Sequence, residues 1–271
     1  MHRARKRFGQ NFLHDTGVID RILRALGPLD DHHIVEIGPG LGALTRPMLA
    51  MLPASAQLDL VELDRDLVAG LQVLANNHSN VELHACDALA FDFTQLQQRS
   101  GKSLRLLGNL PYNISTPLLF HLFEQNATGA ENIIHDMHFM LQREVVRRMA
   151  AEPGGKDYGR LSVMTQYHCD VEALFEVAPE AFNPAPKVTS QIVRLQPKPA
   201  AGRPASLAPA LDRLTRSCFA QRRKVLRNTL KPWFDENQLE ALGVDPGARA
   251  EVLPLDTFIA LAAAVAEQPP H

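Results

Sequence analysis

The 271-residue chain is poor in cysteine, in aromatics and in long apolar runs, and it carries no excess of either charge. Its three cysteines, Cys86, Cys169 and Cys218, are odd in number, widely spaced and free of any C-x-x-C pair. That excludes a disulfide framework, argues against a thiolate zinc site and suits a reducing compartment. The apolar run Ile259–Ala266 is far shorter than the roughly 20 residues that span a bilayer. The basic start MHRARKR leads into FGQNFLHD rather than into an apolar stretch, so it does not read as a secretory signal. A cytoplasmic location is the expectation. With 28 basic and 30 acidic residues, the net charge of −2 announces no nucleic-acid partner. Sixteen glycines and 19 prolines are too few for a low-complexity chain. A 45% hydrophobic share over this length supports one large domain and a small one.

Short β-like runs alternate with helical patterns. HIVEIG (33–38), QLDLVELD (57–64), NVELHACD (80–87), LRLLGNL (104–110) and DMHFMLQ (136–142) are separated by amphipathic stretches such as 43–52 and 66–75. This is the signature of βαβ units feeding a parallel sheet, an α/β fold. Two more strand candidates, 171–177 and 191–195, follow a helical segment at 161–167 and have no convincing helix between them. They predict an antiparallel pair at one sheet edge. After Leu195 the stretch QPKPAAGRPASLAPA reads as a linker, and from about Leu207 every pattern is helical.

The first strand runs into Glu36-Ile37-Gly38-Pro39-Gly40-Leu41-Gly42-Ala43, where spaced glycines allow a tight turn and a close ligand. Glu62 lies 24 positions after Gly38 at the end of the second strand, where a ribose-binding carboxylate belongs. Both NAD and S-adenosylmethionine fit such a loop. A dinucleotide brings a pyrophosphate for a helix N-terminus, whereas the methyl donor is cationic and better matched by acids. Glu36, Glu62 and Asp87 all fall at or beside strand ends.

At the end of the fourth strand stands Asn109-Leu110-Pro111-Tyr112. It offers an amide oxygen, a carbonyl before a restricted proline and a flat ring within four residues. Two acceptors and a stacking ring are the parts needed to hold an exocyclic aromatic amine and present its lone pair to a methyl group.

The ordered set QNFLHD, VEIGPGLGALT, VELDRDL, GNLPYNISTPLL, MLQREVVRRM, YGRLSV, FNPAPKVTSQIVRL and CFAQRRKVLRN resembles the ribosomal RNA adenine N6-dimethyltransferase family over roughly residues 5–235. Members that dimethylate two adjacent adenosines near the 3′ end of 16S ribosomal RNA are the best match; the 23S methyltransferases are the nearest alternative. The resemblance implies a Rossmann-like class I methyltransferase with a mostly parallel seven-stranded sheet, plus a small all-helical C-terminal domain. It divides the chain into 1–198, a linker 199–206 and 207–271, and implies a monomer acting on the immature 30S subunit. S-adenosylmethionine is the implied cofactor, held by Asn11, Leu13, Gly38, Gly40, Glu62, Asp87 and Asn109. Asn109, Leu110, Pro111 and Tyr112 are the implied catalytic residues, with Phe182 on the other face of the base, in a loop stiffened by Pro184 and Pro186. Two positions depart from the family's usual wording, Ala185 and Ala220. A non-catalytic RNA-binding role in ribosome assembly is the competing reading.

Positive charge is concentrated. Residues 213–231 hold seven basic residues and no acid, and the first seven residues hold four more, leaving 17 basic against 30 acidic elsewhere. If 213–231 were one helix, Arg213, Arg216, Arg223, Arg227 and Lys231 would share a stripe opposite Leu211, Leu214, Cys218 and Val225, an alignment that a break near Gln221 would spoil. Arg143, Arg147, Arg222, Arg223, Lys224 and Arg227 are the candidate RNA contacts. Among the histidines, His32, His33, His135 and His138 lack partners at ligand spacing, so no metal is expected. Cys86 and Cys218 read as small core residues.

Overall fold

HIVEI is buried at all five positions, the pattern of a parallel strand covered on both faces. The structure, a computed structural model, describes residues 10–29, 31–126, 131–199, 204 and 206–266. In chain order it contains β1 (Phe12–Leu13), α1 (Thr16–Leu26), β2 (His33–Ile37), α2 (Thr45–Met51), β3 (Gln57–Val61), α3 (Arg65–Asn76), β4 (Val81–His84), α4 (Thr94–Ser100), β5 (Leu104–Asn109) and α5 (Ser115–Asn126). There follow β6 (Ile134–Gln142), α6 (Arg143–Met149), α7 (Arg160–His168), β7 (Cys169–Val177), β8 (Phe182–Asn183), β9 (Ser190–Pro197), α8 (Leu207–Ala220), α9 (Leu226–Thr229), α10 (Glu236–Ala241) and α11 (Leu255–Ala266).

The main sheet has seven strands in the order β4-β3-β2-β5-β6-β9-β7. The pairs from β4 to β6 are parallel, and β9 runs antiparallel to β6. The expected edge pair, β7 and β9, does lie side by side at one end of the sheet. From β2 the chain moves outward through β3 and β4, then returns to the other side of β2 as β5. That reversal opens a crevice at the carboxyl ends of β2 and β5, where ligands of open α/β sheets bind.

Helix α1 starts where the Asp15 carboxylate accepts the Val18 N–H at 3.0 Å, and it buries Ile19, Ile22, Leu23 and Leu26, the 3-and-4 spacing of one helical face. Under its end, the buried Arg105 donates to both oxygens of the buried Asp136 (2.8 and 3.1 Å) and to the carbonyls of Leu26 and Pro28 (2.7 Å each).

The chain divides into two compact units: the described residues up to Arg143 with Glu172–Pro197, and Glu144–Val171 with the described residues from Lys198 onward. The expected boundary near 198 therefore misplaces one segment, residues 144–171, which cluster with the C-terminal helices. Tyr158 is fully buried and donates to the Leu253 carbonyl at 2.9 Å, and Arg160 donates to Asp212 at 2.9 Å. Tyr158, Phe219 and Phe258 form a ring series with centroids 6.2 and 5.8 Å apart.

Of the expected linker 199–206, residues 200–203 and 205 lie outside the described residues, as do the four basic residues near the start. Of the two arrangements open for 213–231, the structure shows the broken one. Helix α8 stops at Ala220, and Gln221 takes φ −131°, ψ 67°, which throws the later basic residues off its stripe. No helix among the described residues is long and apolar enough to cross a membrane.

Candidate active site

The crevice is a cleft of about 340 Å³ in the first unit, walled by the glycine loop after β2, the end of β3, residues 86–88, the segment after β5 and the arm at 10–13. Gly38 and Gly40 have φ of +68° and +61°, a region that side chains rarely adopt. At Gly40 the space is also taken, because the ring of Phe12 lies 3.3 Å from where a Cβ would stand. Gly108 is held open for a different reason: a Cβ there would collide with the Ile37 carbonyl oxygen of the neighbouring strand.

Four carboxylates, Glu36, Glu62, Asp64 and Asp87, line the cleft, and among the described residues no lysine or arginine does. Such a site suits a cation and gives a pyrophosphate no partner. Glu62 accepts the backbone N–H groups of Gly40 (3.1 Å) and Asp64 (2.8 Å), one on each oxygen, which fixes its orientation and leaves further lone pairs for hydroxyl donors. Burial raises its pKa against those hydrogen bonds. Glu36 is buried and accepts the Thr45 hydroxyl at 2.6 Å. Burial outweighs that hydrogen bond and, with the nearby Glu62 charge, lifts its pKa to about 7. One oxygen of Asp87 accepts the Leu89 N–H at 2.9 Å.

The tetrad opens into the same cleft. Asn109 donates through Nδ2 to the Asn11 carbonyl at 2.9 Å, an assignment that only the NH2 end of the amide can satisfy. Its oxygen is thereby left as an acceptor. The Leu110 side chain is buried, Pro111 follows, and Tyr112 is half-buried with its hydroxyl 2.8 Å from Ser190 Oγ, so the ring is braced against β9. All seven expected cofactor residues and four of the five expected catalytic ones line this cleft.

Phe182 does not. It is 3% exposed and belongs to the core, where β8 pairs with β1 in the register Leu13↔Phe182. The adjoining Asn183–Pro184 bond is cis. Cys86, expected as a core residue, instead lines the cleft half-buried, and burial followed by the Asp87 charge pushes its thiol pKa up. Cys218 is buried as expected.

The candidate RNA residues separate into two kinds. Arg143 is bound to Glu176 (3.2 Å), Arg147 to Asp157 (2.8 Å) and Arg227 to Glu236 (3.9 Å), while Arg222 donates to the Tyr158 carbonyl at 2.6 Å. Arg223 and Lys224 are exposed in the turn after α8 and have no partner among the described residues. Elsewhere, Asp59, Glu82 and His84 converge, and Arg99 donates to both Asp59 oxygens (2.8 Å each) and also to Glu82, which offsets one of the two carboxylate charges.

Sequence reasoning passed over Gln10, Phe12, Thr45 and Gly108. The first two act through contacts with residues distant in the chain; Gly108 lies inside the recognised GNLPY motif, and only the strand pairing shows why it must be glycine.

A mostly parallel sheet with a glycine turn at its switch point and an acidic, cation-compatible cleft beside it make this an α/β methyltransferase of the Rossmann-like kind. A family model described as ribosomal RNA adenine dimethylase matches residues 1–267. A ribosomal RNA small subunit methyltransferase A of Pseudomonas putida is 57% identical over 267 residues, 98% of this chain and 97% of that protein. Among solved structures, a dimethyladenosine transferase from Plasmodium falciparum is 26% identical with a TM-score of 0.75, covering 92% of this chain and 95% of that one. The 23S rRNA methyltransferase ErmE is 25% identical with a TM-score of 0.66, covering 94% and 99%. The chain belongs to the ribosomal RNA adenine dimethylase family.

Proposed function

We propose that the chain uses S-adenosylmethionine to dimethylate N6 of two adjacent adenosines near the 3′ end of 16S ribosomal RNA, acting as a monomer in the cytoplasm on the immature 30S subunit. The observation that carries the reading is that the tetrad and the carboxylates Glu62 and Asp87 face one cleft. The 57% identity to a small-subunit enzyme, against 25% to a 23S enzyme, supports the 16S substrate.

In this reading, S-adenosylmethionine supplies a methyl group on a positively charged sulfur. Glu62 binds the ribose hydroxyls and Asp87 the adenine edge, with the arm at Asn11 and Leu13 and the loop at Gly38 and Gly40 enclosing the rest. Asn109 Oδ1 and the Leu110 carbonyl accept the two N–H bonds of the target amine, which turns its lone pair toward the methyl group. Pro111 keeps that carbonyl in place, and Tyr112 stacks on the base. Catalysis is by positioning and by fixed dipoles in place of water, with no strong base. The amine proton leaves to solvent after transfer, and the second transfer requires the same pocket to admit one methyl group.

Arg223 and Lys224 serve as phosphate contacts in the second unit, with Arg143, Arg147, Arg222 and Arg227 as positioned basic residues that lend charge to the surface. No step calls for a metal. The test is labelled methyl transfer to undermethylated small subunits followed by nucleoside analysis. N6,N6-dimethyladenosine is the expected product, and its absence overturns the proposal. If Asn109→Ala abolishes methylation while leaving subunit binding intact, catalysis and any assembly role are separable.

A further inference from the structure

A side-chain amide is nearly symmetric in shape, so Asn109 fits its place equally well with oxygen or NH2 toward the cleft. The two orientations differ completely in chemistry. Oxygen accepts from an amine, whereas NH2 would confront the amine's own N–H groups. The Asn11 carbonyl selects the first, because only NH2 donates to it, at 2.9 Å. That carbonyl belongs to an arm with little regular structure: β1 has two residues, paired with Asn183 and Phe182, and the His14 N–H donates to the Ala181 carbonyl at 2.9 Å.

Upstream of that pair the arm is held by Gln10, whose Nε2 donates to Asp64 Oδ2 at 2.8 Å. Asp64 is itself a rigid post. It is 2% exposed, its other oxygen accepts the Asp66 N–H at 3.2 Å as the cap of α3, and its own N–H is held by Glu62 at 2.8 Å. Phe12, between Asn11 and the strand pair, rests its ring over Gly40. The arm is thus fastened on both sides of the carbonyl that faces Asn109.

We propose that Gln10 is a positioning residue for methyl transfer: by tying the arm to Asp64 it holds the Asn11 carbonyl against Asn109 Nδ2, and so keeps Asn109 Oδ1 facing the target amine. The proposal rests on the reading of Asn109 as an acceptor for that amine. It assigns Gln10 no contact with substrate. Its loss lowers the fraction of protein with the amide correctly turned, which reduces kcat in proportion and leaves substrate KM little changed.

The test uses the full chain with Gln10→Met, which keeps length and removes the donor, and Gln10→Lys, which keeps a donor for the Asp64 carboxylate. Gln10→Met is expected to lower kcat about tenfold with KM within about twofold, and Gln10→Lys to recover to within about threefold of the parent. In the protein without cofactor or RNA, the Asn109 side-chain amide protons, observed by 15N-resolved NMR, should be protected from exchange in the parent and in Gln10→Lys and unprotected in Gln10→Met. An unchanged amide signal in Gln10→Met overturns the proposal. So does a fall in kcat that Gln10→Lys does not restore, which is the mark of a purely structural role. If the parent makes no dimethyladenosine, the functional reading fails, while the amide signals still report on the Gln10 tether.

Discussion

Thr45 donates its hydroxyl proton to Glu36 across 2.6 Å, inside the acidic wall of the cleft. The carboxyl it holds titrates near neutrality, at about 7, because burial and the nearby Glu62 outweigh that hydrogen bond. A raised folded-state pKa contributes stability that is present below the unfolded value of 4.5 and is lost as pH rises through about 7. The free protein should therefore lose stability across this window, and Glu36→Gln should flatten the slope, as read from urea midpoints between pH 5 and 8. A bound cation reverses the preference by favouring the carboxylate. S-adenosylmethionine affinity should rise with pH up to about 7 and then level off, with proton release visible by calorimetry in buffers of different ionisation enthalpy.

Gly108 and Ile37 sit on adjacent parallel strands so closely that no Cβ fits between them. Gly108→Ala must push β5 away from β2, and the tetrad that follows moves with it. The expected outcome is a loss of about 1–3 kcal/mol of stability in denaturant titration, together with a fall in methyl transfer larger than any change in cofactor affinity.

The cationic heads of Arg223 and Lys224 have no partner among the described residues, whereas the neighbouring Arg222 holds the Tyr158 carbonyl at 2.6 Å. Replacing Arg223 and Lys224 by alanine should reduce the slope of log affinity against log salt by about 1 for each phosphate that is no longer neutralised, with the melting temperature unchanged. Arg222→Ala should instead lower the melting temperature. Filter binding to small subunits at several salt concentrations, beside thermal melts, separates the two.

Asp136 is fully buried beneath the end of α1, with Arg105 donating to both its oxygens. Asp136→Asn leaves a buried guanidinium without its counter-charge. A loss of about 3–5 kcal/mol is expected from chemical denaturation, with residual activity per folded molecule retained because the pair is not among the residues that line the cleft.

Much of this was legible along the chain. The period-two and buried apolar runs located the main-sheet strands, since a residue's place in a helix or parallel strand depends on neighbours a few positions away. The glycine turn, Glu62, Asp87 and the tetrad declared themselves because each packs its chemistry into a few consecutive residues. A break of the basic segment near Gln221 could be raised from the sequence but not decided, because helix-forming residues flank it on both sides and its irregular backbone has no local signal. Nor was the burial of Phe182, whose apolar ring suits a core or a stacking platform equally until β8 pairs with the arm.

Amino-acid order alone settled the α/β class and singled out the glycine loop and the tetrad at 109–112 that the cleft brings together. Tertiary structure alone decided which way the Asn109 amide points, which arginines are occupied and which helices join the second unit. The division has a physical cause. Periodicity and turn chemistry act over a few residues, whereas the Asn109–Asn11 and Gln10–Asp64 hydrogen bonds join positions 98 and 54 apart, and folding must close those loops before either hydrogen bond exists.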